Sequence, residues 1–408
     1  MTQLYRRAIP TALFVAATLS ATACGNGTDR SPSSDPSDTA AAALTGEPVK
    51  LMVVYESTGP SAVPEVSEGA IGAAKAVNAG GGIKGRPVEV IRCDTKADPN
   101  VATECGRKAV AEGVVAMVGN LTIFGNRFMP LMAQHKIASI GLEPATAADF
   151  TSPASFPVGG GAPVQFAGLS AALAEAGAKN IVLARQDIPA AAAVAPFVNA
   201  GLKRFQLTMR DVPVPPGAPD MSPYAAAALQ HGTDGIVVTQ ANQDAVNFVQ
   251  AVRQTNPDVK IALNTPSNGE VNKALGNTAE GIIENGATSI AVKSTAEKQY
   301  EADMKAAGYP DVSGYRLPAY AGVRIVENLA KDLPSITGPA LFTALRKSTS
   351  LETGLTPPLQ FTKGGVAGLP RVFNPCLFAI RIEEGGKHVP ITGEFEDAFT
   401  GEACRTPA

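Results

Sequence analysis

Residues 77–94 read VNAGGGIKGRPVEVIRCD, and the place of this stretch between its neighbours decides the architecture. Gly80, Gly82 and Gly85 fit the G-x-G-x-x-G spacing of a dinucleotide-binding loop. Such a loop follows a strand and opens a helix, so that a pyrophosphate meets free N–H groups at the helix N-terminus. Here the order is reversed. An Ala-rich helical segment (64–79) precedes the glycines and a β-branched run (86–94) follows them. The glycines therefore sit at the negative end of a helix dipole, where a left-handed C-cap glycine accounts for at least one of them. The motif reads as a helix-to-strand connection, not a phosphate cradle.

Outward from this unit the same alternation continues. Strand candidates are 49–56, 86–94, 114–119, 137–142, 180–187, 206–214, 235–240, 260–265 and 280–286. Most are continuous apolar runs, as parallel strands buried on both faces require. Helix candidates between them are 64–79, 99–112, 122–135, 163–177, 189–205, 221–231 and 242–255. Strand–helix–strand repetition predicts a doubly wound α/β fold, and its restart at the Gly/Pro break GGGAPVQ (159–165) predicts two such lobes. Helices over 294–307, 317–332 and 337–348 follow. Two strand-like stretches (371–386 and 387–395) meet at Glu-Glu-Gly-Gly-Lys and predict a hairpin.

The ends of the chain speak about location. Arg6 and Arg7 precede an apolar stretch of about 16 residues, too short for a comfortable membrane span. It ends in small residues before Cys24, which resembles a bacterial lipobox. Residues 1–23 are thus expected to be a lipoprotein signal peptide, Cys24 the lipidated residue, and 24–47 a polar stalk rich in Gly, Ser, Pro and Asp. Export and anchoring to the outer face of the cell membrane follow. Losing Arg6 and Arg7 moves the formal charge from −3 to −5, and the remaining Lys and Arg are scattered, which excludes nucleic acid as a partner. Of five cysteines, Cys24 is assigned to lipid, leaving four in an exported chain. Their closeness in sequence predicts Cys93–Cys105 and Cys376–Cys404, and no C-x-x-C spacing supports a metal site.

The stretch GAIGAAKAVNAGGGIKGRPVEVIRCD (69–94) also resembles the periplasmic binding proteins for branched-chain amino acids, the leucine/isoleucine/valine-binding family. So do TGPSA (58–62), DPNVATECGRKAVAEGVVAMVG (98–119), GLEPATAADFTSP (141–153) and TPPLQFTKGG (356–365). The resemblance covers most of 48–395. It implies a type I periplasmic-binding-protein fold, with two α/β lobes joined by three crossovers and a ligand cleft between them. It further implies a monomer that closes on a small ligand and delivers it to the permease and ATPase subunits of an ABC importer, with no cofactor. The lobes are expected over 48–160 plus 288–360 and over 161–287 plus 361–398, with a tail at 399–408.

Open parallel sheets bind ligands beyond the carboxyl ends of their strands. That rule selects 57–59, 120–123 and 143–146 in lobe one, and 186–188, 240–242 and 265–267 in lobe two. The candidate ligand contacts are Ser57, Asn120, Thr122, Ile123, Pro144, Ala145, Thr146, Asp187, Asn242 and Ser267. By resemblance Thr146 matches the family threonine that holds a ligand carboxylate, and Thr122–Ile123 fall where the family has a serine loop. Helix N-capping is the alternative use of both threonines. The ammonium of an amino acid needs an acidic partner, which the family supplies in lobe two. Here NTPSNGE (264–270) places Ser267 at that position, so Glu143, Asp187 or Glu270 are the remaining acids. The departure leaves room for other carboxylates, amides, or aromatic and apolar compounds.

An enzyme is the first rival reading. His135, His231 and His388 are the only histidines, and neither an H-E-x-x-H, a G-x-S-x-G nor a Walker A motif occurs. A sensing protein working with a separate receptor, and a purely structural envelope lipoprotein, are the other two.

Overall fold

The computed structural model describes residues 44–58, 62–265, 268–286, 294–312, 314–365 and 368–405. The lipidation candidate Cys24 and the ligand candidate Ser267 lie outside them.

Five parallel strands form the first sheet, in the order β2 (Val88–Asp94), β1 (Val49–Tyr55), β3 (Ala116–Val118), β4 (Ala138–Ile140), β5 (Ser155–Phe156). β1 is central and almost wholly buried because VKLMVVY offers apolar side chains to both faces. Around it lie α1 (Glu65–Ala79), α2 (Pro99–Ala111), α3 (Met129–His135) and the short α4 (Ala147–Thr151). Asp98 starts α2 by accepting from Asn100 N and Val101 N, with Pro99 just inside, where its missing N–H costs nothing.

The second sheet starts after α5 (Gly161–Glu175). Its parallel strands are β6 (Ile181–Gln186), β7 (Met209–Val214), β8 (Gly235–Thr239), β9 (Lys260–Leu263) and β10 (Ile283–Gly286), in the order β10–β9–β8–β6–β7. The intervening helices are α6 (Pro189–Ala192), α7 (Ala195–Leu202), α8 (Ser222–Ala228), α9 (Asn242–Thr255) and α10 (Asn268–Leu275). The chain then supplies α11 (Thr295–Ala306), α12 (Arg316–Ala330) and α13 (Gly338–Lys347), whose buried faces join the core of the first sheet. Finally β11 (Cys376–Glu383) adds antiparallel to β10, and β12 (Lys387–Pro390) to β11, with β13 (Glu396–Asp397) also on β11. The expected hairpin at Glu384–Gly386 is present.

Two expected helices are broken. The segment 122–135 begins as one short turn, and α3 starts only at Met129; 189–205 divides into α6 and α7. Pro130 and Pro196 mark both new starts: each stands second in its helix, where its missing N–H breaks no intrahelical bond, whereas inside one long helix it would. In the glycine loop, α1 ends at Gly80 with a right-handed backbone, and positive φ values fall on Gly81 (+99°), Gly82 (+68°), Lys84 (+53°) and Gly85 (+77°). Gly82 N then caps Val77 O at 2.9 Å.

Two passages between the sheets are bonded side by side. Asn374 Nδ2 donates to Val158 O at 3.0 Å, and Arg371 Nε to Ser155 O at 2.8 Å. The Arg371 guanidinium is stacked between Phe156 (4.7 Å) and Phe373 (4.6 Å). Burial, with the Arg346 charge nearby, lowers its pKa to about 10. Disulfides join Cys93 to Cys105 and Cys376 to Cys404.

Candidate ligand cleft

The carboxyl edges of the two sheets converge on one side chain. Gln165, early in α5, donates from Nε2 to Glu143 Oε1 at 3.1 Å and accepts at Oε1 from Asn264 Nδ2 at 3.0 Å. Glu143 follows β4 of the first sheet and Asn264 follows β9 of the second. Asn285 Nδ2 fixes the Gln165 backbone carbonyl at 2.9 Å. Gln165 therefore brings the loop after β4 of the first sheet and the loop after β9 of the second together.

On the first-sheet side, Glu56 ends β1 and is 3% exposed. Its Oε1 accepts from Thr122 Oγ1 at 2.6 Å and from Thr95 Oγ1 at 3.1 Å. The Thr122 hydroxyl proton is thus committed, and its oxygen accepts from Phe124 N at 3.1 Å. Asn120 is buried: its Oδ1 accepts from Val54 N (2.8 Å), and its Nδ2 donates to Ser139 Oγ (2.9 Å) and Met117 Sδ (3.3 Å), knitting β1, β3 and β4. Ser57 N donates to Asp94 Oδ1 at 2.8 Å, and that bond with Lys96 N helps hold the Asp94 carboxyl below its usual range. Ile123 is 62% exposed, a large apolar side chain left at the rim.

The loop after β4 is filled from within. Asp149 Oδ2 accepts from Ala145 N (3.2 Å), Thr146 N (2.8 Å) and Thr146 Oγ1 (2.8 Å). These are the donors that the resemblance assigns to a ligand carboxylate. Thr146 is the N-cap of α4, so the capping use is realised. Pro144 is buried behind it, and Gly125 abuts from the β3 loop: a Cβ there would lie 2.7 Å from both Thr146 Oγ1 and Asp149 Oδ1.

Among the described residues Glu143 has neither a cation nor a backbone N–H at its carboxyl, and burial raises its pKa to about 7. Its folded value lies above the ordinary 4.5, so the folded protein holds this proton more tightly than the unfolded chain does. Stability from this group is complete below pH 4.5 and is lost as pH rises through 7. Complete desolvation would make the loss about 3 kcal/mol. The side chain is partly exposed, so water offsets much of it and about 1–2 kcal/mol remains. Glu143→Gln is expected to match the parent's melting temperature at pH 4.5 and exceed it at pH 8. Equal midpoints at pH 8 would show that the carboxyl is solvated.

On the second-sheet side, Asp187 is exposed and pairs with Arg185 at 3.4 Å. Asn242 Nδ2 donates to Glu270 Oε2 at 3.0 Å. Ile188 is 37% exposed; with Ile123 it makes up the exposed large apolar side chains of the described residues. Gln240, just past β8, is 4% exposed, and neither Nε2 nor Oε1 has a hydrogen-bond partner among the described residues. Of these groups, Glu56, Gln165, Asp149 and the Gln240 side chain are not singled out by sequence reasoning. A lone acid or amide ending a buried strand, as in VVYE and VVTQ, is the signal that could have found two of them.

A family model described as periplasmic binding protein matches residues 48–387. No curated protein matches by sequence. Among solved structures, the chain is similar to a branched-chain amino acid transporter substrate-binding protein from Streptococcus pneumoniae in complex with isoleucine, at 19% identity and TM-score 0.67, covering 84% of this chain and 100% of that one. It is also similar to a leucine-, isoleucine-, valine-, threonine- and alanine-binding protein from Brucella ovis in a closed conformation (15%, TM-score 0.72, 88% and 99%). A fatty acid ABC transporter substrate-binding protein from Thermomonospora curvata is similar to the same degree (18%, TM-score 0.72, 89% and 96%).

Proposed function

The chain belongs to the periplasmic binding protein family, whose members are solute-binding proteins and not enzymes, and from that premise we propose that it captures a small organic solute between its two lobes and delivers it to an ABC importer. The observation that carries this reading is the convergence of both carboxyl sheet edges on Gln165, bonded on one side to Glu143 and on the other to Asn264. A solute touching both edges favours the closed arrangement by its differential affinity for it. The signal-like segment and Cys24 support export and lipid anchoring at the outer face of the membrane.

The solute class proposed from the sequence, an amino acid or a related small carboxylate or amide, meets an additional demand here. Ile123 and Ile188 offer apolar surface at the rims of the two edges, which favours a solute with an apolar body. Two measurements test the reading: a thermal-shift panel of amino acids, short-chain and aromatic acids and amides, and solution scattering with each hit. A hit is expected to raise the melting temperature and reduce the radius of gyration. Ile188→Asp is expected to weaken its binding by about tenfold, roughly the cost of removing one buried aliphatic contact. Hits that stabilise without compaction would refute cleft closure.

A further inference from the structure

We infer that the solute carries a carboxamide or ureido group and no free carboxylate, and that Gln240 reads this group; the inference rests on the solute-binding reading above.

Two independent observations lead there. The first is the state of the donors on the first-sheet side. Ala145 N, Thr146 N and Thr146 Oγ1 already surround the Asp149 carboxylate, and Thr122 Oγ1 donates to Glu56. What this edge presents to a solute is acceptor: the Glu143 carboxyl, which forms no ion pair among the described residues. A carboxylate arriving here finds these donors taken, by Asp149 and by Glu56. A group bearing N–H is welcome.

The second observation is Gln240. It is 4% exposed, and both of its amide atoms lack partners among the described residues. A buried amide without hydrogen bonds is costly, so native structures keep one only where something else uses it. Its position is that of a reader. In the β6–β8 register Arg185 faces Thr239, so Gln186 and Gln240 stand in step at the carboxyl edge. Asn264 N, on the neighbouring strand, donates to Val238 O, two residues before Gln240. Asn264 in turn bonds Gln165, which bonds Glu143.

A side-chain amide offers one donor face and one acceptor face side by side. Its complement offers acceptor and donor side by side, which a carboxamide or urea does. A carboxylate has two acceptors and leaves the Gln240 carbonyl opposed; an amine has donors only and leaves the Gln240 N–H unpaired. A primary carboxamide can accept from Gln240 and donate to it at once, with a second N–H to spare.

Calorimetric titration of the purified full-length chain with four compounds of one branched apolar body tests this: isovaleramide, isovalerate, isoamylamine and L-leucine. Isovaleramide is expected to bind about tenfold or more tightly than the other three, because a site built to pair a polar group rejects analogues lacking it. Gln240→Leu is expected to abolish that preference. It should not lower the melting temperature of the solute-free protein, since removing an unpartnered buried polar group is neutral or stabilising. Gln240→Leu separates the outcomes. A clear fall in that temperature would show the amide to be satisfied by internal water and overturn the proposal. Isovalerate or L-leucine binding as tightly as the amide, with Gln240→Leu unchanged, would overturn it and leave the solute-binding reading standing. Absence of binding or compaction with every compound in the wider panel would remove both.

Discussion

Replacing Gly141 by alanine is expected to cost about 2–5 kcal/mol. Gly141 follows β4 with φ +65°, a region where an ordinary residue pays about 1–2 kcal/mol. Its added Cβ would lie 2.3 Å from Pro318 O and 2.9 Å from Gly322 Cα, both backbone atoms of α12. Backbone cannot swing aside as a side chain can. The helix must shift, and α12 is buried against the first sheet along Leu317, Ala319, Tyr320 and Val323. Overpacking of this kind adds about 1–3 kcal/mol to the φ penalty. Gly81→Ala is the control. Its φ is +99°, but nothing lies within 4 Å of an added Cβ, so only the backbone penalty applies. Urea unfolding of the two variants separates the terms. Equal losses would mean that α12 does not press on β4.

Removing the Cys376–Cys404 bond by paired alanine substitution comes second in size. Cross-linking residues 28 apart restricts the unfolded chain, which by loop entropy is worth about 3.6 kcal/mol. The native side of the balance is local. Phe395 is fully buried and packs against Phe378 at 5.5 Å between ring centroids, and Cys404 N donates to Phe395 O at 2.7 Å. Without the bond these contacts must hold the last residues unaided. The variant is expected to melt several degrees lower and to be cut by protease within 391–405 before the rest of the chain unfolds. Paired alanine substitution at Cys93 and Cys105, 12 residues apart, is expected to cost about 2.8 kcal/mol with no early cleavage at the tail. Simultaneous cleavage and global unfolding in the first variant would show that the tail is not an independently releasable element.

The glycine loop after α1 shows what the sequence could reveal. Its meaning depended on the change from helical to strand periodicity across six residues, which is local. The loops at the carboxyl edges of the strands were equally legible, because parallel strands place them by rule at one edge. The helix breaks at Pro130 and Pro196 were also written in the chain, but Ala-rich periodicity on both sides concealed them. The cleft chemistry was not legible. Whether Thr146 serves a ligand or Asp149 depends on where a hydroxyl proton points. Glu56 and Thr122 are 66 residues apart, and Gln165 and Asn264 are 99 apart. No spacing encodes such meetings; only the folded sheets bring them about.

The paired passages at the Arg371 stack carry a mechanical consequence. One runs from β5 toward α5, the other from Arg371 to Cys376, and they are bonded at Ser155 and Val158. Two parallel tethers fastened along their length bend easily about one axis and resist twisting about the other two. Bending at this joint is then expected to be easier than twisting. On the solute-binding reading proposed above, closure would follow this soft axis, and a partner could read the solute from the angle without touching it.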